Sequence, residues 1–288
     1  MFLLSLDPPG LTSNHKPFIQ ATHDPSVEHI SSKLEAHGRY TNVDLLERLF
    51  AEQGPLGIVV DVGANIGTFG FAAASLGFDK IIMIEPSIQN FPKLCQTVLL
   101  NIDDERFKER IEIIPAAAVE HSGGEGTTQI HVSKGWRGKN SGMATCVEAE
   151  NDSIGFVVQA ITIDEALSNL GNRPVDLVKL DIEGFELQAL RGAANLLASE
   201  GSRPRLIQAE LNPGMLKTTN FELVNYIESF GYLCYSTAAL CPEERVTSRT
   251  EVIKHGDIFC ESEVSRKRRE IVPSAGWQTA TECLSKVK

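Results

Sequence analysis

From residue 58 onward the chain alternates short, nearly unbroken apolar runs with helical stretches, and this pattern most constrains the fold. "IVVDV" (58–62), "KIIMIEP" (80–86), "RIEIIPAA" (110–117), "VDLVKLD" (175–181) and "RLIQAEL" (205–211) are the runs. Between them lie "FGFAAASLG", "IQNFPKLCQTVLLN" and "FELQALRGAANLLAS", each with helical character. A strand that is apolar on both sides must be covered on both faces, so the pattern predicts a parallel sheet sandwiched by helices. The late segments "YLCYS" and "GDIFCES" follow without a clear crossover helix, which suits an antiparallel pair closing one edge.

The rest of the chain divides around that core. Residues 1–28 read as a loose arm, and 29–53 as one or two helices, so 1–53 is taken as an N-terminal extension. Residues 54–240 form the main domain, interrupted at 119–161 by two strand-like segments around a Gly-, Ser- and Asn-rich loop, read as an inserted hairpin over the site. Residues 241–288 are a C-terminal strand and polar tail containing "SRKRRE" (265–270).

Composition narrows the partners. There are 27 basic and 38 acidic residues, a net charge of −11, which argues against general affinity for a phosphate backbone. The partner indicated is a small molecule or a protein, and a nucleic acid is disfavoured. No segment has the length of uninterrupted apolar sequence that a membrane span needs, and the opening ten residues lack a basic leader. The six cysteines form no C-x-x-C pair and read as reduced thiols of a cytoplasmic protein.

The chemistry is concentrated where strands end. Asp61 begins the loop D-x-G-x-N-x-G, with Gly63, Asn65 and Gly67, and Gly70 follows within the next helix. Glu85, 18 residues beyond Gly67, is placed to accept hydrogen bonds from ribose hydroxyls. A dinucleotide fingerprint would be G-x-G-x-x-G aimed at a pyrophosphate, but Asn65 replaces its middle glycine and Asp61 would repel a phosphate. A ligand with a nucleoside, an ammonium and a sulfonium satisfies both acids, and S-adenosylmethionine is such a ligand. Asp181 is a second strand-end acid for its ammonium.

At these residues the chain resembles the FkbM-type S-adenosylmethionine-dependent methyltransferases. The matching stretches are "VVDVGANIGTF", "IEP", "IIPAAAVEHSG", "NSG", "ITID", "VDLVKLDIEGFELQALRGA" and "AELNP", within residues 58–236. The resemblance implies an α/β fold, a doubly wound Rossmann-like sheet of the class I methyltransferase type with seven strands and an antiparallel last pair. It implies methyl transfer to oxygen, commonly on a carbohydrate or secondary metabolite. By position, Asp61, Gly63, Asn65, Gly67 and Asp181 would hold the methionine end, Glu85 the ribose, and Ala116 and Ala117 the adenine.

An aliphatic hydroxyl needs a base as its bond to the methyl carbon forms. Glu210 and Glu183 are the candidates, with Asp181 beside them; crowding among the three raises carboxylate pKa values. Helix capping is the structural alternative for Glu183. Asn140 and Ser141 are candidate substrate contacts. Asp181, Glu210 and Asn212 could alternatively hold Mg²⁺. Three rival readings stay open: a nucleic-acid methyltransferase tethered by the basic run 266–269, an inactive cofactor-sensing or interaction module, and a nicotinamide oxidoreductase.

Overall fold

The computed structural model describes residues 2–6, 18–25, 29–37, 43–52, 55–105, 107, 109–123, 129–133, 146–147, 155–211, 220–247 and 256–271. Its centre is a sheet of seven main strands: β1 (Ile58–Val62), β2 (Lys80–Ile84), β3 (Ile111–Ile114), β4 (Val175–Leu180), β5 (Leu206–Leu211), β6 (Leu233–Tyr235) and β7 (Gly256–Glu261). In space they run β3-β2-β1-β4-β5-β7-β6, and the two-residue strand Arg245–Val246 adds to the β6 edge. Neighbours from β3 to β5 are parallel; β7 is antiparallel to both β5 and β6. The order reverses beside β1, which creates the crevice where doubly wound sheets bind ligands. The final strand is thus inserted between β5 and β6 rather than added at an edge.

Both faces are covered, as the unbroken apolar runs predict. Ile58, Val60 and Val62 of β1 join one core cluster with Val178, Leu180, Ile207 and Ala209. Val59 faces the other cluster with Ile81, Met83, Leu177 and Leu206. The helix Thr68–Leu76 is buried along its whole length, which explains its lack of any polar face.

Register then builds the site edge. Val62 of β1 is level with Ile84 and with Leu180, and Leu180 is level with Ala209. The next residue in each strand direction is therefore Gly63, Glu85, Asp181 and Glu210. Antiparallel pairing brings Asp257 opposite Glu210. A row of acids at one sheet end follows directly from parallel pairing in register.

Several expectations are corrected. Part of the N-terminal arm is ordered: Phe2–Leu6 and Phe18–Thr22 pair antiparallel, and Phe18 packs against Phe71 and Phe107. The extension is tied to the sheet by buried Arg205, which bonds Glu52 at 2.7 Å and Asp176 at 3.0 Å. Ala116 and Ala117 do not end β3. They belong to Ala116–Ala118, which pairs parallel with Gly155–Ile161 in a separate four-stranded sheet containing Gln129–Ser133 and Cys146–Val147. The insertion is thus a sheet rather than a simple hairpin. The expected helix 185–199 is two helices, Glu186–Arg191 and Ala194–Ala198, broken where a side chain on Gly192 would meet the Val119 carbonyl at 2.1 Å. The basic run lies in a helix, Glu263–Ile271, where Lys267 pairs with Glu263.

The thiol reading also changes. Cys234 and Cys260, opposite each other on β6 and β7, are joined in a disulfide. Sheet register, not sequence spacing, brings them together. The bond removes the support that the cysteines lent to a reducing compartment. Among the described residues no helix is long and apolar enough to cross a membrane.

Candidate active site

The loop after β1 is held by its own amides. Gly63 N–H and Ala64 N–H both donate to the Ile84 carbonyl, at 2.9 and 3.2 Å. Asn65, in the left-handed region at φ 54°, turns its N–H onto Glu85 Oε2 at 2.7 Å. These amides are spent inside the protein, so they do not form the cradle of free N–H groups that a pyrophosphate requires. This weighs against the nicotinamide reading.

The glycines answer to the protein itself. Gly63 has φ 79°, and a Cβ there would lie 2.0 Å from the Asp181 carbonyl oxygen. The loops after β1 and β4 therefore touch backbone to backbone. At Gly70 the approaching group is Met83, whose sulfur would be 2.6 Å from a Cβ. Gly67, at φ 86°, turns the chain into the following helix.

Glu85 is 4% exposed and heavily solvated by protein groups. Oε1 accepts from Ser87 N–H at 2.9 Å and Asn90 Nδ2 at 3.1 Å; Oε2 accepts from Asn65. Three of about four acceptor directions are used, leaving about one for a ligand hydroxyl. Burial nevertheless outweighs these bonds and raises its pKa to about 7.

Asp61 is fully buried. Its Oδ2 accepts from Gly70 N–H at 3.0 Å, which ties β1 to the helix, and its Oδ1 lies 3.6 Å from Lys179 Nζ. Burial raises its pKa, opposed by Lys179 and the Gly70 amide. Lys179 also bonds Asp181 Oδ2 at 3.1 Å and sits 5.6 Å from the Phe69 ring centre. An ammonium seeking a carboxylate meets Asp181, whose side chain is 41% exposed, before it meets Asp61.

Beyond Asp181 the chain makes a strained turn. Glu183 has φ 55° and Gly184 has φ 101°. Left-handed backbone at a glutamate costs energy that the surroundings must offset, a feature that clusters at functional sites. Glu186 reaches back so that Oε1 accepts from Ile182 and Gly184 N–H at 3.1 and 3.2 Å. Glu186 therefore holds the turn that leads into the helix, whose N-cap position, Phe185, has no side-chain cap.

One carboxylate oxygen from each of Asp181, Glu183 and Glu210 lies within 4.8 Å of the others. Burial, then the charge of Asp181, raises the Glu183 pKa to about 7. Burial and the charges of Asp181, Glu183, Glu186 and Asp257 also hold Glu210 well above the usual range. Asp257 is raised mainly by burial, while Gln208 holds it at 2.6 Å.

The structure thus brings Asp61, Gly63, Asn65, Gly67, Glu85, Asp181, Glu183 and Glu210 to one end of the sheet. Ala116 and Ala117 follow β3 but are 4% and 1% exposed. Asn140, Ser141 and Asn212 lie outside the described residues; among the described residues the three-oxygen group is Asp181, Glu183 and Glu210. Sequence reasoning missed Lys179, Asn90, His23 and Asp257. For Lys179 a signal existed, a lysine inside the apolar run "VDLVKLD". The other three acquire their places only through tertiary contacts.

Strand order, switch point and acidic strand ends define a Rossmann-like fold of the class I methyltransferase type. The family model "Methyltransferase FkbM domain" matches residues 61–234, and the chain belongs to that family. Among solved structures it is similar to methyltransferase FkbM from Methylobacillus flagellatus KT. There the identity is 18% and the TM-score 0.42, over 84% of this chain and 56% of that one. It is also similar to a TehB-like SAM-dependent methyltransferase from Corynebacterium glutamicum, at 11% identity and TM-score 0.40, over 81% and 94% of the two chains. The chain thus spans little more than half of the Methylobacillus protein. No curated protein matches the chain.

Proposed function

We propose that the protein is an S-adenosylmethionine-dependent O-methyltransferase acting on a hydroxyl of a carbohydrate or other small molecule. The observation that carries this reading is the convergence of Asp181, Glu183 and Glu210 at strand ends in line with Glu85. Glu85 offers its remaining acceptor direction to the ribose. Asp181, backed by Lys179, faces the methionine ammonium, with Asp61 behind it. The loop Gly63–Asn65–Gly67 shapes the floor, and Ala116 and Ala117 provide small side chains near the adenine.

The cofactor, when bound, supplies an electrophilic methyl group for in-line displacement. The protein's part is to hold the acceptor oxygen behind it and to take the hydroxyl proton. Glu210 is assigned as that base, with Glu183 next to it. A carboxylate whose pKa is raised toward neutrality matches the requirement for a base at physiological pH. Asn140 and Ser141 are proposed as acceptor contacts. A net charge of −11 favours a small acceptor over a polyanion, and a cytoplasmic site of action remains part of the proposal.

The test is turnover of S-adenosylmethionine with a panel of hydroxylated acceptors. Glu210→Gln should lower kcat by roughly 10²–10⁴-fold with cofactor affinity nearly unchanged. Full activity in that variant, with collapse in Glu183→Gln, would move the base to Glu183. The three converging oxygens also suit a divalent cation as a second reading. Loss of turnover in EDTA, restored by Mg²⁺, would select it.

A further inference from the structure

Asn90 occupies the N-cap position of the helix Phe91–Leu100 but makes no side-chain cap. Asparagine is favoured there because its oxygen accepts from the first helical amides. Here the amide is fully buried and spent elsewhere. Its Nδ2 donates to Glu85 Oε1 at 3.1 Å, and its Oδ1 lies 2.9 Å from His23 Nε2. When Glu85 is ionised it can only accept, so the NH₂ group then faces Glu85 and the oxygen faces His23. His23 must then carry its proton on Nε2. With Glu85 ionised, the sequence of donors runs from His23 through Asn90 to Glu85.

His23 is itself held from both sides. Its backbone N–H donates to Ser31 Oγ at 3.2 Å. The preceding strand is fastened to the helix Phe91–Leu100 and its end by Ala21 N–H to Thr97 Oγ1 at 3.0 Å. Ile19 N–H reaches Asn101 Oδ1 at 2.9 Å, and Asn101 Nδ2 returns to the Ile19 carbonyl at 2.6 Å. Buried Gln20 donates to the Ile66 carbonyl at 2.9 Å, inside the loop after β1. Residues 18–23 thus contact both the glycine loop and the helix that follows Glu85.

We propose that His23 is a positioning residue for cofactor binding: through Asn90 it orients the Glu85 carboxylate toward the ribose, so that the N-terminal extension completes the cofactor site. This rests on the reading of Glu85 as the ribose acceptor. Without the Nε2–H donor, Asn90 loses its fixed orientation. Glu85 then loses one of its three directed donors, and the aim of the lone pair left on Oε2 rests on the Ser87 and Asn65 amides alone. The extension is in this respect part of the binding machinery rather than a cover for the core.

The test measures binding of S-adenosylhomocysteine and of its 2′,3′-dideoxy analogue to the full chain, by calorimetry, with wild type, His23→Ala and His23→Gln. His23→Ala should bind S-adenosylhomocysteine about fivefold more weakly. It should bind the dideoxy analogue as wild type does. His23→Gln, which keeps an N–H donor on a side chain of similar reach, should recover most of the loss. Wild-type affinity for both probes in His23→Ala would overturn the proposal, and so would an equal loss for both, which marks packing alone. Failure of wild type itself to bind S-adenosylhomocysteine would overturn the cofactor reading and this inference with it, a result distinct from the other two.

Discussion

Glu85, Asp181 and Glu210 could be read from the sequence because each ends an apolar run, and a parallel sheet collects strand ends at one edge. His23 and Asn90 could not, because their places exist only through tertiary contacts to each other and, for Asn90, to Glu85 across the helix start; Lys179 left one signal, a charge inside an apolar run. The glycine loop was half legible. Its place after β1 follows from the sequence, but the approach that Gly63 permits comes from the Asp181 carbonyl. A side chain there meets backbone on both counts, position and φ. Gly63→Ala should therefore cost about 3 kcal/mol or more of stability, read by chemical denaturation. A change below about 0.5 kcal/mol would show that the two loops do not touch as described.

The elements that followed from periodicity were those whose burial is set by their own sequence, such as β1 and the wholly buried helix Thr68–Leu76. Those that did not follow depend on a partner distant in the chain. The hairpin Phe2–Leu6 with Phe18–Thr22 is short and irregular in pattern, yet it seats Phe18 on Phe71 and Phe107. Strand β7 was recognisable as a strand, but its insertion between β5 and β6 is a nonlocal choice. The link from the extension to the sheet is concentrated in Arg205, which bonds both oxygens of Glu52 and one of Asp176 in β4. Removing the cation would leave two buried carboxylates without it. Arg205→Ala should destabilise the protein by about 3–5 kcal/mol. A loss within 1 kcal/mol would mean that the extension is not anchored through this pair.

For the whole molecule, the acidic edge couples stability to pH. Glu85 and Glu183 have folded pKa values raised from 4.5 to about 7. A raised carboxylate pKa means that the folded state holds protons more tightly than the unfolded chain. The stability from that difference is fully present below about 4.5 and is lost as pH rises through about 7. The ligand-free protein should therefore show a thermal midpoint that falls between pH 5 and pH 8. Glu183→Gln should flatten part of that slope. A midpoint that rises over this range would contradict the burial of these acids. Such an edge is costly unless something cationic occupies it, and the family to which the chain belongs is consistent with the occupant proposed here.

The most direct measurement of the central claim is calorimetric binding of S-adenosylmethionine to wild type and to Glu85→Ala. Wild type should bind, and the variant should bind at least about tenfold more weakly, with both proteins folded. Equal affinity in the two would place the ribose away from Glu85. No binding by folded wild type would contradict the reading of this acidic sheet edge as a cofactor site.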